Sequence, residues 1–405
     1  MSDKKQIHRW LVVAGSIIVQ LCMGAIYTWS IFVDPLKEQF EFSTLQTQIV
    51  FSFELATFSL VMIFAGKWQD KAGPRIVAFT GSILLGTGYI LASFSHGSFI
   101  GILCTIGLIS GAGIGLAYVC PIAALIKWFP DMRGLITGIA VAGFGGGAWI
   151  FAHIANHMID SCGTLETFKL LGIIFLVVSV LGSLVITNPP RRWVPSGFHA
   201  KQPDGGSAVP SLNWHEMIRT PRFYFLWSMF SFSALAGLMV IGNLKSFGIH
   251  NGLSSAAAGS AVGVLALFNG LGRIKWGWIS DKLGRSHALL LMFALQSVMM
   301  FILPHIGKST LLLAVSSAWV GFNFGGNFAL FPSLTADYFG TRFIGINYGL
   351  VYTAYGVAGI AGPISAGEIF DLTGSYTFAF MIAGCLCAVA AVTVYFTHRT
   401  VKKTA

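Results

Sequence analysis

The sequence predicts an all-α membrane protein: twelve transmembrane helices in two pseudo-symmetric six-helix bundles. Three observations predict it. Charged residues make up only 10% of the 405-residue chain against 55% apolar, and the mean hydropathy is +0.75; a soluble domain with so few charges would not stay dispersed. The charged turn Gly66-Lys67-Trp68-Gln69-Asp70-Lys71-Ala72-Gly73 returns as Gly277-Trp278-Ile279-Ser280-Asp281-Lys282-Leu283-Gly284, at an offset of 281 − 70 = 211 residues. Between the two apolar halves lies a polar, breaker-rich stretch with Pro189-Pro190-Arg191-Arg192 and Pro203-Asp204-Gly205-Gly206-Ser207.

Apolar runs long enough to cross about 30 Å of hydrocarbon place the first six helices at 10–33, 46–66, 76–95, 99–126, 135–157 and 168–188. The second six fall at 222–245, 255–279, 287–305, 310–336, 346–369 and 376–396. Residues 1–188 therefore form one bundle, 189–221 a linker and 222–405 the other, with Trp214 to Arg219 as a short interfacial helix. The first apolar stretch is too long for a cleavable signal peptide and reads as a full span. The 48 glycines suit helices that pack with their backbones close together.

Net charge is +10, but its distribution is a topology signal and not a nucleic-acid footprint. Twenty of the 25 Lys and Arg fall on the side shared by both termini, and Lys37, Lys169, Lys245 and Lys308 on the other. That asymmetry puts both termini in the cytoplasm. Five of the six cysteines lie in apolar segments and none has metal-ligand spacing, so they read as ordinary buried thiols.

In each charged turn an aspartate, Asp70 or Asp281, sits where a helix leaves the membrane. Gly66 and Gly73 flank the first, Gly277 and Gly284 the second, and Arg75 and Arg285 follow as prospective partners. Small residues let helices approach closely, and a carboxylate favours a neighbouring helix N-terminus. Either turn alone reads as a tight positive-inside connection; two copies in register read as a cytoplasmic latch specific to one state. The repeat extends to Gly143-Phe144-Gly145, which parallels Ala354-Tyr355-Gly356.

The paired G-x-x-x-D-K-x-G turns and the six-plus-six layout resemble the major facilitator superfamily. Gly24-Ala25-Ile26-Tyr27-Thr28-Trp29-Ser30, Gly111-Ala112-Gly113-Ile114-Gly115 with Tyr118 and Pro121, and Trp128-Phe129-Pro130-Asp131-Met132-Arg133-Gly134 resemble its oxalate/formate antiporter family, relatives of the monocarboxylate (L-lactate) transporters. Phe331-Pro332-Ser333-Leu334-Thr335-Ala336-Asp337-Tyr338-Phe339-Gly340 adds to that likeness. The resemblance implies the major facilitator fold, alternating access, and a cavity lined by the first, fourth and eleventh helices among others. It also implies that Arg273 is the substrate arginine. Members that exchange the oxalate dianion have a lysine in the eleventh helix where this chain has Tyr355. Proton-coupled monocarboxylate carriers often pair the arginine with an aspartate where this chain has Asn269.

Read from the residues, Arg273 follows an almost wholly apolar run and lies about 12 Å inside Asp281 at a rise of 1.5 Å per residue. A central arginine costs at least about 2.5–3.5 kcal/mol to insert, so it normally faces a polar cavity; the bland alternative is snorkelling beside Lys275. Its planar fork suits a carboxylate, and Asn269, one turn back, shares its face. Glu54 is the acidic residue well inside a span, a proton-coupling candidate or else a residue that snorkels or pairs with Lys37 or Lys245. Tyr27, Tyr118, Tyr352 and Tyr355 offer hydroxyls, Phe144 an apolar wall, and Asn327 shares a face with Asn323; helix–helix hydrogen bonding is the bland alternative for each. His153, His157 and His250 lie near outer helix ends and read as interfacial.

With no phosphate loop, paired catalytic carboxylates or Cys/His cluster, the sequence predicts neither an enzyme nor a cofactor. The expected function is secondary transport of small organic monocarboxylates (lactate, pyruvate or formate), proton-coupled, by a monomer in the plasma (inner) membrane. One fixed cation in a low-dielectric cavity matches one carboxylate, whereas a dianion asks for a second. The alternatives are an oxalate/formate-type anion exchanger and a transport-inactive membrane sensor.

Overall fold

The computed structural model describes residues 8–190, 193–195 and 211–404. Its long helices, numbered here in chain order, are α1 Arg9–Phe40, α2 Thr44–Ala72, α3 Pro74–Ser93, α4 Phe99–Trp128, α5 Arg133–Cys162 and α6 Thr164–Ser183. The second six are α7 Pro221–His250, α8 Ser255–Leu283, α9 Arg285–Ile306, α10 Thr310–Phe339, α11 Ile344–Thr373 and α12 Thr377–Thr404. A one-turn helix, Trp214–Met217, precedes α7 and is closed by a capping box between Asn213 and Glu216. The linker residues 196–210 lie outside the described residues.

The offset seen in the sequence is also an offset in the backbone. Helices α2, α3, α4 and α5 start at Thr44, Pro74, Phe99 and Arg133; α8, α9, α10 and α11 start at Ser255, Arg285, Thr310 and Ile344, each 211 residues on. Ser43 and Ser98 cap α2 and α4 as Ser254 and Ser309 cap α8 and α10, each hydroxyl accepting from an otherwise orphaned N–H. The positive-φ residues Glu41, Gly73 and Gly163 recur as Gly252, Gly284 and Gly374. Packing repeats too: α2 lies on α4 and α3 on α6 as α8 lies on α10 and α9 on α12.

Several helices outrun their apolar cores. Helix α2 continues to Ala72, and α1 passes through a 3-10 turn at Gly24–Thr28 and runs on to Phe40 across Asp34, Pro35 and Lys37. Hydropathy falls where charges begin, but backbone hydrogen bonding does not. Among the described residues ten helices are long and apolar enough to cross a membrane; α10 and α11 are not among them. Helix α10 is sheathed by protein, buried almost throughout from Val320 to Ala336, so it carries Asn323, Asn327 and glycines in place of lipid-facing leucines.

By chain proximity the described residues form two units. One holds those up to Pro130, Ala140–Pro195 and Thr341–Gly349; the other holds Asp131–Ile139, those from Ser211 to Gly340, and Leu350 onward. Each unit thus takes in the opening turns of a helix, α11 or α5, whose remainder belongs to the other.

Gly73 and Gly284 turn the chain between helices at φ 87°, ψ 160° and φ 84°, ψ 151°, a region essentially confined to glycine. Gly73→Ala and Gly284→Ala are each expected to cost about 1–3 kcal/mol and to lower the thermal unfolding midpoint in detergent. Gly259→Ala, with no atom within 4 Å of the added methyl, is the control and leaves that midpoint unchanged or raised.

Candidate functional site

The charged turns are built alike. In the first unit Asp70 accepts the backbone N–H groups of Gly345 (3.2 Å) and Ile346 (3.0 Å), the opening residues of α11. In the second, Asp281 accepts those of Gly134 (2.9 Å) and Leu135 (2.7 Å), at the start of α5. A helix start exposes N–H groups with no internal partner and the positive end of its dipole, so a carboxylate there serves both. Close approach makes this reach feasible. A Cβ on Gly66 would overlap the Gly345 carbonyl, and one on Gly277 the Gly134 carbonyl. One turn further into the membrane Gly349 lies on Met62, and Gly138 on the Arg273 carbonyl.

The two turns differ in their cations. Arg285 donates to Asp281 (2.5 Å), to Ser280 and to Asp337 (3.0 Å), and Arg133 donates to Asp337 (2.6 Å), so the second unit carries a four-membered charge network. The partnership expected between Arg75 and Asp70 is corrected. Pro74 holds the place that Arg285 holds in the second copy, and Arg75, one residue on, is exposed; Asp70 accepts from Gln69 Nε2, with Lys127 of α4 within electrostatic reach.

Arg273 is 2% exposed, so it does not snorkel. Its Nε donates to Asn269 Oδ1 at 2.9 Å, and its guanidinium carbon sits 4.6 Å over the Phe328 ring. The amide fixes one edge of the fork and the ring covers one face, which together set its plane; a desolvated cation–π contact is worth about 2 kcal/mol. Glycines bring α8 and α10 together here: a Cβ on Gly272 would overlap the Phe322 carbonyl, and one on Gly325 the Asn269 carbonyl.

Phe328 leads into a wall of rings: Tyr355 at 5.3 Å, Phe324 at 5.4 Å, and Tyr352 at 5.2 Å from Tyr355. Asn327 is fully buried, and its Oδ1 accepts Ser233 Oγ at 3.0 Å. Asn323 has a framework role, accepting from Trp276 Nε1 and donating to Gln296 Oε1, each at 3.0 Å.

In the first unit Phe144 is the hub of a second aromatic group, edge-on to Tyr27 (5.4 Å) and to Tyr118 (5.3 Å), with Phe58 5.2 Å from Tyr118. Glu54 is fully buried, and its Oε1 accepts Ser110 Oγ at 3.4 Å. Sequence reasoning missed Phe328 and Phe58, since a phenylalanine in an apolar run is indistinguishable from a lipid-facing one. It also missed Asp337 and Arg133 as partners of the turn. The signal was an aspartate and an arginine set at corresponding ends of α10 and α5.

Arg285→Ala removes charge-assisted bonds to two aspartates and is expected to cost about 1.5–3 kcal/mol. Arg75→Ala, at an exposed position, stays within about 0.5 kcal/mol of the parent. Unfolding midpoints of the two variants in one detergent compare them directly.

A profile of the Major Facilitator Superfamily matches residues 13–363 and again 236–405. The Escherichia coli (strain K12) protein named "Uncharacterized MFS-type transporter YhjX" is 31% identical across 87% of this chain and 86% of its own length. The "Oxalate:formate antiporter" of Oxalobacter formigenes is 29% identical across 88% of this chain and 83% of its own. "Monocarboxylate transporter 12" of Mus musculus is 27% identical across 93% of this chain and 82% of its own. Among solved structures, the transporter FucP superposes with a TM-score of 0.73 at 15% identity, over 95% of this chain and 98% of that one. The chain is a carrier and not an enzyme, and it belongs to the major facilitator superfamily.

Proposed function

We propose that the protein transports small organic monocarboxylates of the lactate, pyruvate or formate kind by alternating access, in symport with protons. The observation that carries this is the buried guanidinium of Arg273, its plane set by Asn269 and Phe328. A planar fork donates two parallel hydrogen bonds to one carboxylate, and in a low-dielectric setting one fixed cation is matched by one anion. Relatives named for formate and for monocarboxylates support the same solute class.

Asn269 positions the fork, and Tyr352, Tyr355 and Asn327 are further solute-contacting residues in this reading, as are Tyr27, Tyr118 and Phe144. Glu54 is its coupling acid. Both termini are cytoplasmic, the protein works as a monomer in the plasma membrane, and the Asp70 and Asp281 turns with their glycines form a latch holding one state.

Oxalate/formate-type anion exchange is the second reading, favoured by the 29% identical antiporter. Tyr355 weighs against it, because a dianion asks for a second cation and a tyrosine supplies none.

Purified protein in liposomes, given labelled L-lactate, formate or oxalate under an inward proton gradient, separates these readings. Monocarboxylate uptake that needs the gradient is the expected result; oxalate uptake only against preloaded anion would establish exchange, and binding without flux a sensor. Arg273→Lys keeps the charge but loses the fork, and is expected to lower uptake at least about tenfold, or 1.4 kcal/mol.

A further inference from the structure

The first unit contains a buried polar cluster outside every residue assigned to solute or latch except Glu54. A ridge of glycines, Gly107, Gly111 and Gly115 of α4, lets α2 settle against it at Val50, Glu54 and Phe58. The acid is at the centre of that seam, ten residues into α2 and fully buried. Its Oε1 has one long hydrogen bond, from Ser110, and its Oε2 has no hydrogen-bond partner.

Both neighbouring helices are irregular at this level. Helix α4 widens into a π-helical stretch over Leu103–Ser110, ending on the serine that meets Glu54. Helix α1 tightens into its 3-10 turn over Gly24–Thr28. Tyr89 of α3 joins the two places, hydrogen-bonding the Thr28 side chain while lying within electrostatic reach of Glu54. π turns and 3-10 breaks inside long helices commonly mark functional hinges.

We infer that Glu54, Ser110, Tyr89 and Thr28 form a proton-binding site whose occupancy sets the break in α1, an inference that deepens the symport reading and rests on it. A carboxylate sealed with one long hydrogen bond is costly, so this packing suits the protonated acid. When the proton leaves for water, the ionised group needs O–H donors; Ser110 already supplies one, and in this proposal Tyr89 turns to supply the second. Tyr89 then gives up Thr28, and the 3-10 turn, which Thr28 Oγ1 also closes on the Ala25 carbonyl, loses its link to α3. That turn also carries Tyr27 against Phe144, with Gly24 pressed on the Phe144 carbonyl, so the change passes to the aromatic group.

Other titratable groups stand apart. Asp34, Lys37 and Glu38 are exposed at the far end of α1. Arg75 and Lys127 lie at the opposite ends of α3 and α4, and Lys67, Asp70 and Lys71 at the end of α2; Arg9, Cys22, Tyr27, Cys104, Tyr118 and Cys120 complete the set on α1, α3 and α4. Of these, Tyr89 is the one with an electrostatic interaction with Glu54.

The test uses full-length protein in liposomes and two readouts. The first is uptake as a function of pH. Glu54→Gln fixes a neutral group and is expected to abolish acceleration by a proton gradient while lactate-for-lactate exchange continues. Tyr89→Phe, which keeps the ring, is expected to shift the pH of half-maximal uptake. Unchanged pH profiles in both variants would overturn the inference. The second readout is the infrared band of a protonated carboxyl group in unliganded protein, which Glu54→Gln should remove and Tyr89→Phe should displace. A band untouched by either variant overturns the site even if symport stands. A band that behaves as expected in a protein that proves to be an exchanger leaves the site standing and sinks the symport reading alone.

Discussion

The structure depends on a carboxylate placed against the bare start of a helix. Asp70 on α11 and Asp281 on α5 each satisfy two backbone N–H groups that the helix itself cannot. The bonds require the helices to cross at backbone contact, which fixes glycine at 66, 345, 134 and 277. Once that crossing is set, the next turn is set as well: Gly349 must lie on Met62 and Gly138 on Arg273. The charged turn and the buried arginine are thus two consequences of one helix crossing, and a shift at the start of α5 bears directly on the backbone of Arg273.

That coupling gives the glycines and charges different duties. Glycine supplies distance, which no rotamer change can replace, because the opposing atoms are carbonyls. The charges supply a preference that is lost when the surfaces separate, since each aspartate would then leave two orphan N–H groups behind. The second unit carries more of this preference than the first, with Arg133, Arg285 and Asp337 gathered around Asp281. The repeat is close in backbone and unequal in charge.

Much of this was legible in the sequence, for reasons specific to particular residues. The 211-residue offset was visible because two aspartates and four glycines cannot be exchanged for similar residues without losing the crossing. Arg273 and Asn269 stood out because a charge and an amide are rare in apolar runs. What the sequence hid was the identity of partners. Arg285 stands where the first copy has Pro74, so the first copy has no arginine at that place, and its Arg75, one residue further on, is exposed. Phe328 could not be distinguished from dozens of apolar neighbours until a guanidinium was found over its ring. The helix ends were misjudged where hydropathy ended before the hydrogen bonding, as in α2.

Among the described residues, Glu54 and Arg273 are the charged side chains that the fold buries. Their repeat mates, 211 residues away, are Leu265 and Met62. A duplicated scaffold therefore received one acid in its first unit and one base in its second, on equivalent helices α2 and α8 but two turns out of register. Each would be ruinous alone at those burials, because an ionised group out of water needs a counter-charge or a proton. For the acid a proton suffices, whereas an arginine cannot give one up at accessible pH. The two residues are consequently not interchangeable elements of a salt bridge: a proton can neutralise the first and cannot neutralise the second. On the proposed symport reading these are the two neutralisation events the carrier needs, one for each unit.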